Sequence, residues 1–393
     1  MEFIGRYFEI SQVSSFIFGP RGTGKSTWLK SSLAGARFID LLDPTVFRRL
    51  VAQPNRLRDY LVTSQSPSTI VIDEVQRVPE LLTVVHSILE EPNSPVFIMT
   101  CSSARKLRRK NVDLLGGRAV VKNFHPFMLS ENKALNLQTV LQIGSVPLIV
   151  SADAPIEALN AYITSYINEE VQTEALTRNI ENFYRFLEAI SYSHASLLNK
   201  TNVARECHVS RKVVESYVNI LYDLLLAFQL PVFTKRAKRA VVAHSKFYLF
   251  DAGVFRVLRP SGPLDRPHEI DEAGLEGLVA QNLRAWIDYR NERTKLYFWR
   301  TQGGTEVDFV LYGNSEFYAI EVKNSDRIES KDVRGLKTFQ KDYLEASTIL
   351  LYRGQEPLSV NGVTCLPVEE FLKKLTPDQT LSEVRLECIS NNS

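Results

Sequence analysis

The stretch Gly19-Pro20-Arg21-Gly22-Thr23-Gly24-Lys25-Ser26 decides the fold of the first part of the chain. It fits the pattern G-x-x-x-x-G-K-[ST] of a phosphate-binding P-loop. The pattern requires a strand before the loop and a helix after it, and the apolar run Ser15–Phe18 and the helical segment Ser26–Ser32 meet both requirements. Such a loop turns backbone N–H groups and a helix N-terminus toward phosphates. The stretch therefore predicts a nucleotide-binding domain.

The residue types in the loop predict ATP and Mg²⁺ as cofactors. Lys25 should reach the terminal phosphates, and the Ser26 hydroxyl should ligate Mg²⁺. The alternative is a glycine-rich turn that binds nothing. The residues expected to contact the nucleotide are Gly19, Pro20, Arg21, Gly22, Thr23, Gly24, Lys25, Ser26 and Thr27.

Two acids follow a second apolar strand. Thr69–Ile72 runs directly into Asp73 and Glu74, the arrangement of a Walker B motif. We expect Asp73 to hold the Mg²⁺ shell and Glu74 to orient or deprotonate the attacking water. Two acids at the end of a strand can also form a solvated turn, but their position after a P-loop favours catalysis.

Polar and basic residues near these acids complete the predicted ATP site. The strand Pro95–Met99 is followed by hydroxyl residues, of which Thr100 or Ser102 is the candidate sensor of the terminal phosphate. Capping of the next helix is the alternative role for these hydroxyls. Arg118 follows two glycines, and its guanidinium is the type of group that stabilises charge on a transferring phosphoryl group.

The order of elements predicts an α/β protein with three domains. Short apolar runs alternate with amphipathic segments from Ser15 to about Glu131, which is typical of a parallel sheet covered by helices. A long helical region from Pro155 to Leu230 follows, and strands return after Pro267. The predicted domains are residues 1–132, 133–258 and 259–386.

Composition excludes several classes of protein. With 44% hydrophobic residues the 393-residue chain can form sizeable cores, and 47 basic against 45 acidic residues leave a net charge of only +2. The four cysteines form no CxxC pair and the six histidines have no ligand spacing, which argues against a disulfide framework or a zinc site. No stretch of 18 apolar residues occurs. We expect a cytoplasmic protein without a membrane partner.

The middle region contains a predicted helix–turn–helix between Asn202 and Val218. It places Ser210, Arg211 and Lys212 at the start of the second helix, where a major-groove reader carries its contacts. Many such units bind proteins instead. The basic segment Arg105–Lys110 is more typical of a solvated helix face than of a nucleic-acid patch.

The last domain has carboxylates on a predicted hairpin of Thr305–Tyr312 and Phe317–Lys323. Alternation places Asp308 on one strand near Glu321 and Lys323 on the other. This is the arrangement of PD-(D/E)xK nucleases, in which two carboxylates hold Mg²⁺ and the lysine acts on the attacking water. Glu276, on an upstream helix, is the candidate additional acid. A strand with solvated charges is the alternative.

The chain resembles prokaryotic AAA+-type ATPases whose C-terminal half is a domain of unknown function with restriction-endonuclease-like residues. The matching segments are Val71–Leu82, Gly117-Arg118, Lys246–Gly253 and Tyr297–Lys323. The resemblance implies an ASCE-type P-loop core, a winged-helix middle and an α/β nuclease-like end. It also implies assembly into a homo-oligomeric ring such as a hexamer, in which Arg118 or Arg105 meets a neighbour's nucleotide.

Two hypotheses about function follow. In the first, an ATP-hydrolysing switch or motor is coupled to a nuclease-like module and acts on DNA. In the second, a regulatory ATPase of a toxin–antitoxin or defence system uses the same module as a catalytically inactive platform for a protein partner encoded nearby. Metal-dependent cleavage that depends on Asp308 distinguishes the first from the second.

Overall fold

The computed structural model describes residues 4–61, 69–103, 115–166, 180–263, 265–290 and 292–390. The chain divides into two compact units. The first comprises residues 8–125 with 220–225, and the second comprises residues 1–7, 126–219 and 226–393.

The first unit contains a five-stranded sheet in which all paired neighbours are parallel. Its strands are β1 (Ser15–Phe18), β2 (Arg37–Asp40), β3 (Thr69–Asp73), β4 (Val96–Cys101) and β5 (Val120–Asn123). Its helices are α1 (Lys25–Ser32), α2 (Pro44–Ala52) and α3 (Leu81–Leu89), with 3₁₀ turns at Pro54–Tyr60, Val75–Arg77 and Leu115–Gly117. All four residues of β1 are buried, as expected for a parallel sheet covered on both faces. The predicted parallel α/β fold of this part is confirmed.

The strand order β2-β3-β4-β1-β5 determines which loops meet. Strand β4 lies between the strand that precedes the P-loop and the strand that ends in Asp73. Because the three strands are parallel, their carboxyl ends lie at one edge of the sheet. A direct contact there joins the P-loop to β4, since the Gly19 N–H donates to the Cys101 carbonyl at 3.1 Å.

The second unit begins with a helical region and a small antiparallel sheet. The helices are α4 (Leu137–Ile143), α5 (Pro147–Val150), α6 (Pro155–Ala161), α7 (Ile180–Ser191), α8 (Lys200–Glu206), α9 (Arg211–Asp223) and α10 (Ala252–Leu258), with a π-helical turn at Tyr162–Tyr166. The last four residues of α9, from residue 220 onward, belong to the first unit. The strands are β6 (Ser196–Leu197), β7 (Ala227–Leu230) and β8 (Lys246–Leu249), in the order β6-β8-β7.

This small sheet corrects the predicted extent of the helical region. The region from Pro155 to Leu230 contains β6 and ends in β7 rather than in a helix. The last apolar run is too short for periodicity to distinguish a buried strand from a helix. The helix–turn–helix is present as α8 and α9, with His208 at φ 56° in the turn between them.

The C-terminal part of the second unit is a six-stranded mixed sheet. Its strands are β9 (Lys295–Arg300), β10 (Glu306–Tyr312), β11 (Phe317–Lys323), β12 (Ser347–Tyr352), β13 (Leu358–Val360) and β14 (Val363–Pro367), in the order β13-β14-β12-β11-β10-β9. Its helices are α11 (Pro267–Tyr289), α12 (Arg334–Asp342), α13 (Val368–Lys374) and α14 (Leu381–Ser390). Strands β10 and β11 form the predicted antiparallel hairpin.

Helices cover both faces of this sheet. Phe309 and Ile320 share a core with residues of α11, whereas the neighbouring Val310 and Ala319 share a second core with residues of α12. Both faces are therefore apolar, and any charged side chain on β10 or β11 must find partners inside the protein.

Candidate active site and a buried ion cluster

The P-loop backbone is shaped by three glycines. Gly22 and Gly24 have φ values of 80° and 85°, which favour glycine because it has no Cβ. At Gly19 a Cβ would lie 2.3 Å from the Phe124 carbonyl oxygen, so the loop and β5 approach too closely for a larger residue. Within the described residues no side chain caps the N-terminus of α1. The first-turn N–H groups of α1 can therefore point at an anion.

Lys25 lies inside the loop rather than in solvent. Its Nζ donates to the carbonyl oxygens of Gly19 at 2.7 Å and Pro20 at 3.0 Å. Burial lowers the pKa of Lys25, while the nearby carboxylates of Glu74 and Asp73 act in the opposite direction. The ammonium is thus close to both Walker B acids and is held by carbonyls that a phosphate can replace as acceptors.

Thr100 connects the two acids at the end of β3. Its hydroxyl donates to Asp73 Oδ1 at 2.5 Å and accepts from the Glu74 N–H at 2.9 Å. Both Thr100 and Asp73 are buried. The candidate sensor on β4 therefore fixes the carboxylate that is expected to hold Mg²⁺.

Ser102 and Gln76 hold the Glu74 carboxylate. Ser102 Oγ donates to Glu74 Oε2 at 2.7 Å, and Gln76 Nε2 donates to the same oxygen. Gln76 Nε2 also donates to Ser102 Oγ at 2.9 Å. Glu74 itself has a left-handed backbone, with φ 61°. The two predicted sensor residues thus have different partners, since Thr100 contacts Asp73 and Ser102 contacts Glu74.

The oxygen donors near the loop suit Mg²⁺. A buried carboxylate, Asp73, and the hydroxyl of Ser26 in the first turn of α1 are the kinds of ligand that Mg²⁺ takes together with nucleotide phosphates. Arg21 and Thr27 are exposed on the loop and on α1. The residues of this site therefore fit the metal that its motif implies.

Of the two candidate arginines, only Arg118 lies in the part of the chain that the structure describes. Arg118 is exposed, and its Nη2 lies 2.5 Å from Glu90 Oε1. Arg105 lies outside the described residues, together with the rest of the basic segment Arg105–Lys110. Assignment of Arg118 to a catalytic role stays a prediction.

A second cluster of charged residues lies in the second unit around Lys246. The Lys246 Nζ is 2.8 Å from Glu276 Oε1, 2.5 Å from Glu306 Oε1 and 3.2 Å from Asp308 Oδ1. The Lys246 side chain is only 2% exposed. Three carboxylates from α11 and β10 thus converge on one buried ammonium, and we call these four residues the Lys246 cluster.

The predicted nuclease-like residues meet at the edge of this cluster. Asp308 Oδ2 accepts from the Val322 N–H at 2.9 Å, between Glu321 and Lys323 in the chain. Phe309 pairs with Ile320 in the antiparallel hairpin, and continuation of this register by one residue places Asp308 beside Glu321. Glu321 Oε1 is 2.8 Å from Lys323 Nζ. The structure therefore brings Asp308, Glu321 and Lys323 together, and Glu276 reaches them through Lys246.

Burial and mutual repulsion shift the titration of these acids. Burial, followed by the charge of Asp308, raises the pKa of Glu276 to about 7 and that of Glu321 to about 8. Burial alone would lower the pKa of Lys246, but the carboxylates around it raise that pKa well above its ordinary value. Lys246 is accordingly an ammonium across the physiological pH range.

This cluster does not fit a divalent metal ion. Its three converging carboxylate oxygens already share the Lys246 ammonium. Among the residues that the structure describes, no group of three or more His, Cys, Asp or Glu is arranged to hold a metal. The centre of the cluster is therefore occupied by an ammonium and is not open to a metal ion.

Several residues of both sites were not singled out by the sequence. Gln76 follows the Walker B acids but carries no motif of its own. Lys246 begins an apolar strand in a segment noted for its family resemblance, and Tyr248 Oη donates to Glu276 Oε1 at 2.6 Å. The one signal in the sequence is a lysine directly before a run of aromatic residues. Burial of its charge among such residues is costly unless the ammonium has polar partners.

The start of the second helix of the helix–turn–helix is exposed. Arg211 and Lys212 are both exposed, and Ser210 Oγ accepts from the Val213 N–H at 3.3 Å. Arg211 Nε also lies 3.4 Å from Glu215 Oε1. These positions are open to a partner, although an acid of the same helix shares the charge of Arg211.

Three family profiles match consecutive parts of the chain. Residues 12–133 match an AAA domain, residues 135–265 match a domain of unknown function (DUF8612), and residues 272–371 match another domain of unknown function (DUF4143). The first match identifies an AAA-type P-loop domain in the unit that holds Lys25, Asp73 and Glu74. Within the described residues, none of the helices combines the length and apolarity needed to cross a membrane.

Relatives and solved structures are similar to the chain at low identity. Uncharacterized proteins of Mycobacterium bovis and Mycobacterium tuberculosis are each 24% identical over 93% of this chain and 82% of their own length. The replication initiator DnaA bound to AMPPCP and single-stranded DNA is 13% identical, with a TM-score of 0.25 over 54% of this chain and 82% of that chain. AMPPCP-bound DnaA from Aquifex aeolicus gives 13% identity and a TM-score of 0.23 over the same shares. The fold assignment rests on the P-loop, the strand order and the AAA profile.

Proposed function

We propose that the chain is an ATP-binding and ATP-hydrolysing AAA-type switch or motor. The observation that carries this proposal is the meeting of a glycine-shaped phosphate loop with two acids, of which Asp73 is buried and fixed by Thr100. In this arrangement the loop N–H groups and Lys25 bind the phosphates. Ser26 and Asp73 hold Mg²⁺, which neutralises charge on the phosphate oxygens when it is bound.

Glu74 is the residue that we assign to water activation. A carboxylate at this position accepts a proton from water or orients it toward the terminal phosphate. Glu74 Oε2 accepts from Ser102 Oγ and from Gln76 Nε2, so two neutral donors hold the carboxylate. Ser102 and Gln76 therefore position the base rather than act on the substrate.

Nucleotide binding is tested with a fluorescent ATP analogue. Wild type should bind it, Lys25→Ala should abolish binding, and Lys30→Ala serves as the matched control because Lys30 lies on the exposed end of the same helix. Equal affinity of wild type and Lys25→Ala would refute the assignment of the loop.

We further propose that ATP promotes assembly of identical chains, with Arg118 supplied to a neighbour's nucleotide. Support comes from the exposure of Arg118, whose surface ion pair with Glu90 is weak enough to exchange partners. A guanidinium supplied by a second chain stabilises charge on the transferring phosphoryl group.

The C-terminal module has two candidate roles. The first is metal-dependent cleavage of DNA or RNA by Asp308, Glu321 and Lys323, with the exposed start of α9 as a DNA contact. The second is that of a catalytically inactive platform for a protein partner. The second is favoured by Lys246, because its ammonium already satisfies the carboxylates that a catalytic metal would need.

Cleavage of single-stranded DNA, double-stranded DNA and RNA with Mg²⁺ or Mn²⁺, with and without ATP, decides between the two roles. The platform role predicts that wild type cuts none of them and that Asp308→Ala behaves like wild type. Cleavage by wild type that disappears in Asp308→Ala would instead establish the nuclease role.

A further inference from the structure

The Lys246 ammonium occupies the centre of a carboxylate cluster that its nuclease-like arrangement would assign to a divalent cation. We propose that Lys246 supplies the cation of this cluster permanently, so that the module binds no divalent metal ion unless Lys246 is replaced. This inference deepens the platform role proposed above and is independent of ATP hydrolysis.

The number of donors matches the number of acceptors. An ammonium has three N–H donors, and Lys246 has three carboxylate oxygens within 3.2 Å, from Glu276, Glu306 and Asp308. The side chain is 2% exposed, so water contributes little to its solvation. The three acids therefore replace its hydration shell, as they would replace the shell of a metal ion.

Each of these acids also has another partner. Glu276 Oε1 accepts from Tyr248 Oη at 2.6 Å, Glu306 Oε2 lies 2.9 Å from Arg300 Nη1, and Asp308 Oδ2 accepts from a backbone N–H at 2.9 Å. These contacts fix the carboxylates in orientations that suit the ammonium. Mg²⁺ usually binds through one or two carboxylates and completes its octahedron with waters, but both oxygens of Asp308 are already engaged, by Lys246 and by the Val322 N–H.

One buried carboxylate oxygen beside the Lys246 cluster has no hydrogen-bond partner among the described residues. Glu321 Oε2 is buried and makes no hydrogen bond. A single carboxylate oxygen is a poor Mg²⁺ ligand in water, so it does not create a metal site beside Lys246. Once the ammonium is removed, however, this oxygen and the three converging carboxylates form an acidic pocket in which, among the described residues, Lys323 pairs only with Glu321 and Arg300 only with Glu306. Such a pocket is a latent divalent-cation site.

The test measures Mn²⁺ binding by the decrease of the free Mn²⁺ EPR signal. The nucleotide-free full chain is titrated to about 1 mM Mn²⁺, the range of weak protein sites. The proteins compared are wild type, Asp308→Asn, Lys246→Met, Lys246→Met with Asp308→Asn, and Lys331→Met. Lys331 is an exposed lysine of the same module and serves as the matched control.

Neither wild type nor Lys331→Met should bind Mn²⁺ at a site that requires Asp308. Lys246→Met should bind one Mn²⁺ per chain, and the added Asp308→Asn change should abolish that binding. Mn²⁺ should also raise the melting temperature of Lys246→Met and leave that of wild type unchanged. If Lys246→Met is unfolded in Mn²⁺-free buffer, recovery of its far-UV circular dichroism on addition of Mn²⁺ is the expected result.

Two results overturn the proposal. One is a Mn²⁺ ion bound by wild type and lost in Asp308→Asn, which would restore the metal-dependent nuclease role. The other is folded Lys246→Met that binds no Mn²⁺. If Lys246→Met folds under no condition, the wild-type titration decides alone, since binding there refutes the inference and no binding supports it. ATP turnover, measured in parallel, reports on the first unit and does not enter this decision.

Discussion

Replacement of Thr100 by valine should remove the hydrogen-bonded link between the two acids of the ATP site. Valine has nearly the same shape as threonine but lacks the hydroxyl that donates to Asp73 Oδ1 and accepts from the Glu74 N–H. Thr100 is completely buried. The change therefore removes two interactions without opening a cavity, and the Asp73 carboxylate loses the partner that fixes its orientation.

The size of the effect follows from these two hydrogen bonds. A hydrogen bond to a charged group contributes about 1.5–3 kcal/mol, and a buried donor left without an acceptor costs about 1–3 kcal/mol. Because Glu74 is partly accessible to water, we expect a loss of roughly 2–4 kcal/mol in the free energy of unfolding of the first unit. Loss of a residue that orients a metal ligand should raise the Mg²⁺ midpoint of ATPase activity by about 10- to 100-fold.

The assay is steady-state phosphate release over a Mg²⁺ titration, combined with urea unfolding. Ser102→Ala is the comparison, because Ser102 contacts Glu74 and Gln76 but makes no described hydrogen bond to Asp73. It should alter turnover and leave the Mg²⁺ midpoint unchanged. An unchanged Mg²⁺ midpoint in Thr100→Val, or an equal shift in both variants, would refute the division of roles between the two hydroxyls.

Three further predictions concern other parts of the chain. Gly144→Ala should lower the free energy of unfolding by at least about 2 kcal/mol, because its φ is 77° and a Cβ would lie 2.0 Å from Asp251 Oδ1; an unchanged urea midpoint contradicts this. Burial raises the pKa of Glu321 to about 8 and that of Glu276 to about 7. Between about pH 4.5 and 8 the folded state therefore holds protons that the unfolded state has lost, so the free energy of unfolding should fall as the pH rises through this range. Glu321→Gln should flatten this dependence in thermal melts, and identical pH profiles would contradict it. Arg118→Ala should reduce turnover of the ATP-bound assembly by about 10³-fold, and sedimentation of wild type as a monomer in every nucleotide state would exclude an arginine supplied by a neighbour.

The ATP site was predictable because its residues are close in sequence to strands of clear pattern. The P-loop lies within eight consecutive residues, and Asp73 and Glu74 follow directly after an apolar run. Parallel strands then bring the loop, the acids and Thr100 to one edge of the sheet. What the sequence left open was which hydroxyl contacts which acid. That depends on side-chain geometry around the left-handed backbone of Glu74.

The Lys246 cluster was predictable only in part. Period-two alternation located Asp308, Glu321 and Lys323, because all three lie on one hairpin. Lys246 comes from a different sheet, 62 residues before Asp308 in the chain. No local pattern connects a lysine on β8 to carboxylates on α11 and β10, since this contact depends on long-range packing. Alternation also places Glu306 on the face of Asp308, but its pairing with Lys246 depends on the same long-range packing.

The central claim is that the first unit hydrolyses ATP with Glu74 as the water-activating base. Its most direct test measures ATP binding and phosphate release on the same preparations of wild type, Glu74→Gln and the exposed control Glu80→Gln. All three proteins should bind ATP with similar affinity, Glu80→Gln should turn over like wild type, and Glu74→Gln should turn over about 10²- to 10⁴-fold more slowly. Phosphate release by Glu74→Gln at the wild-type rate would contradict the role of Glu74 as the base.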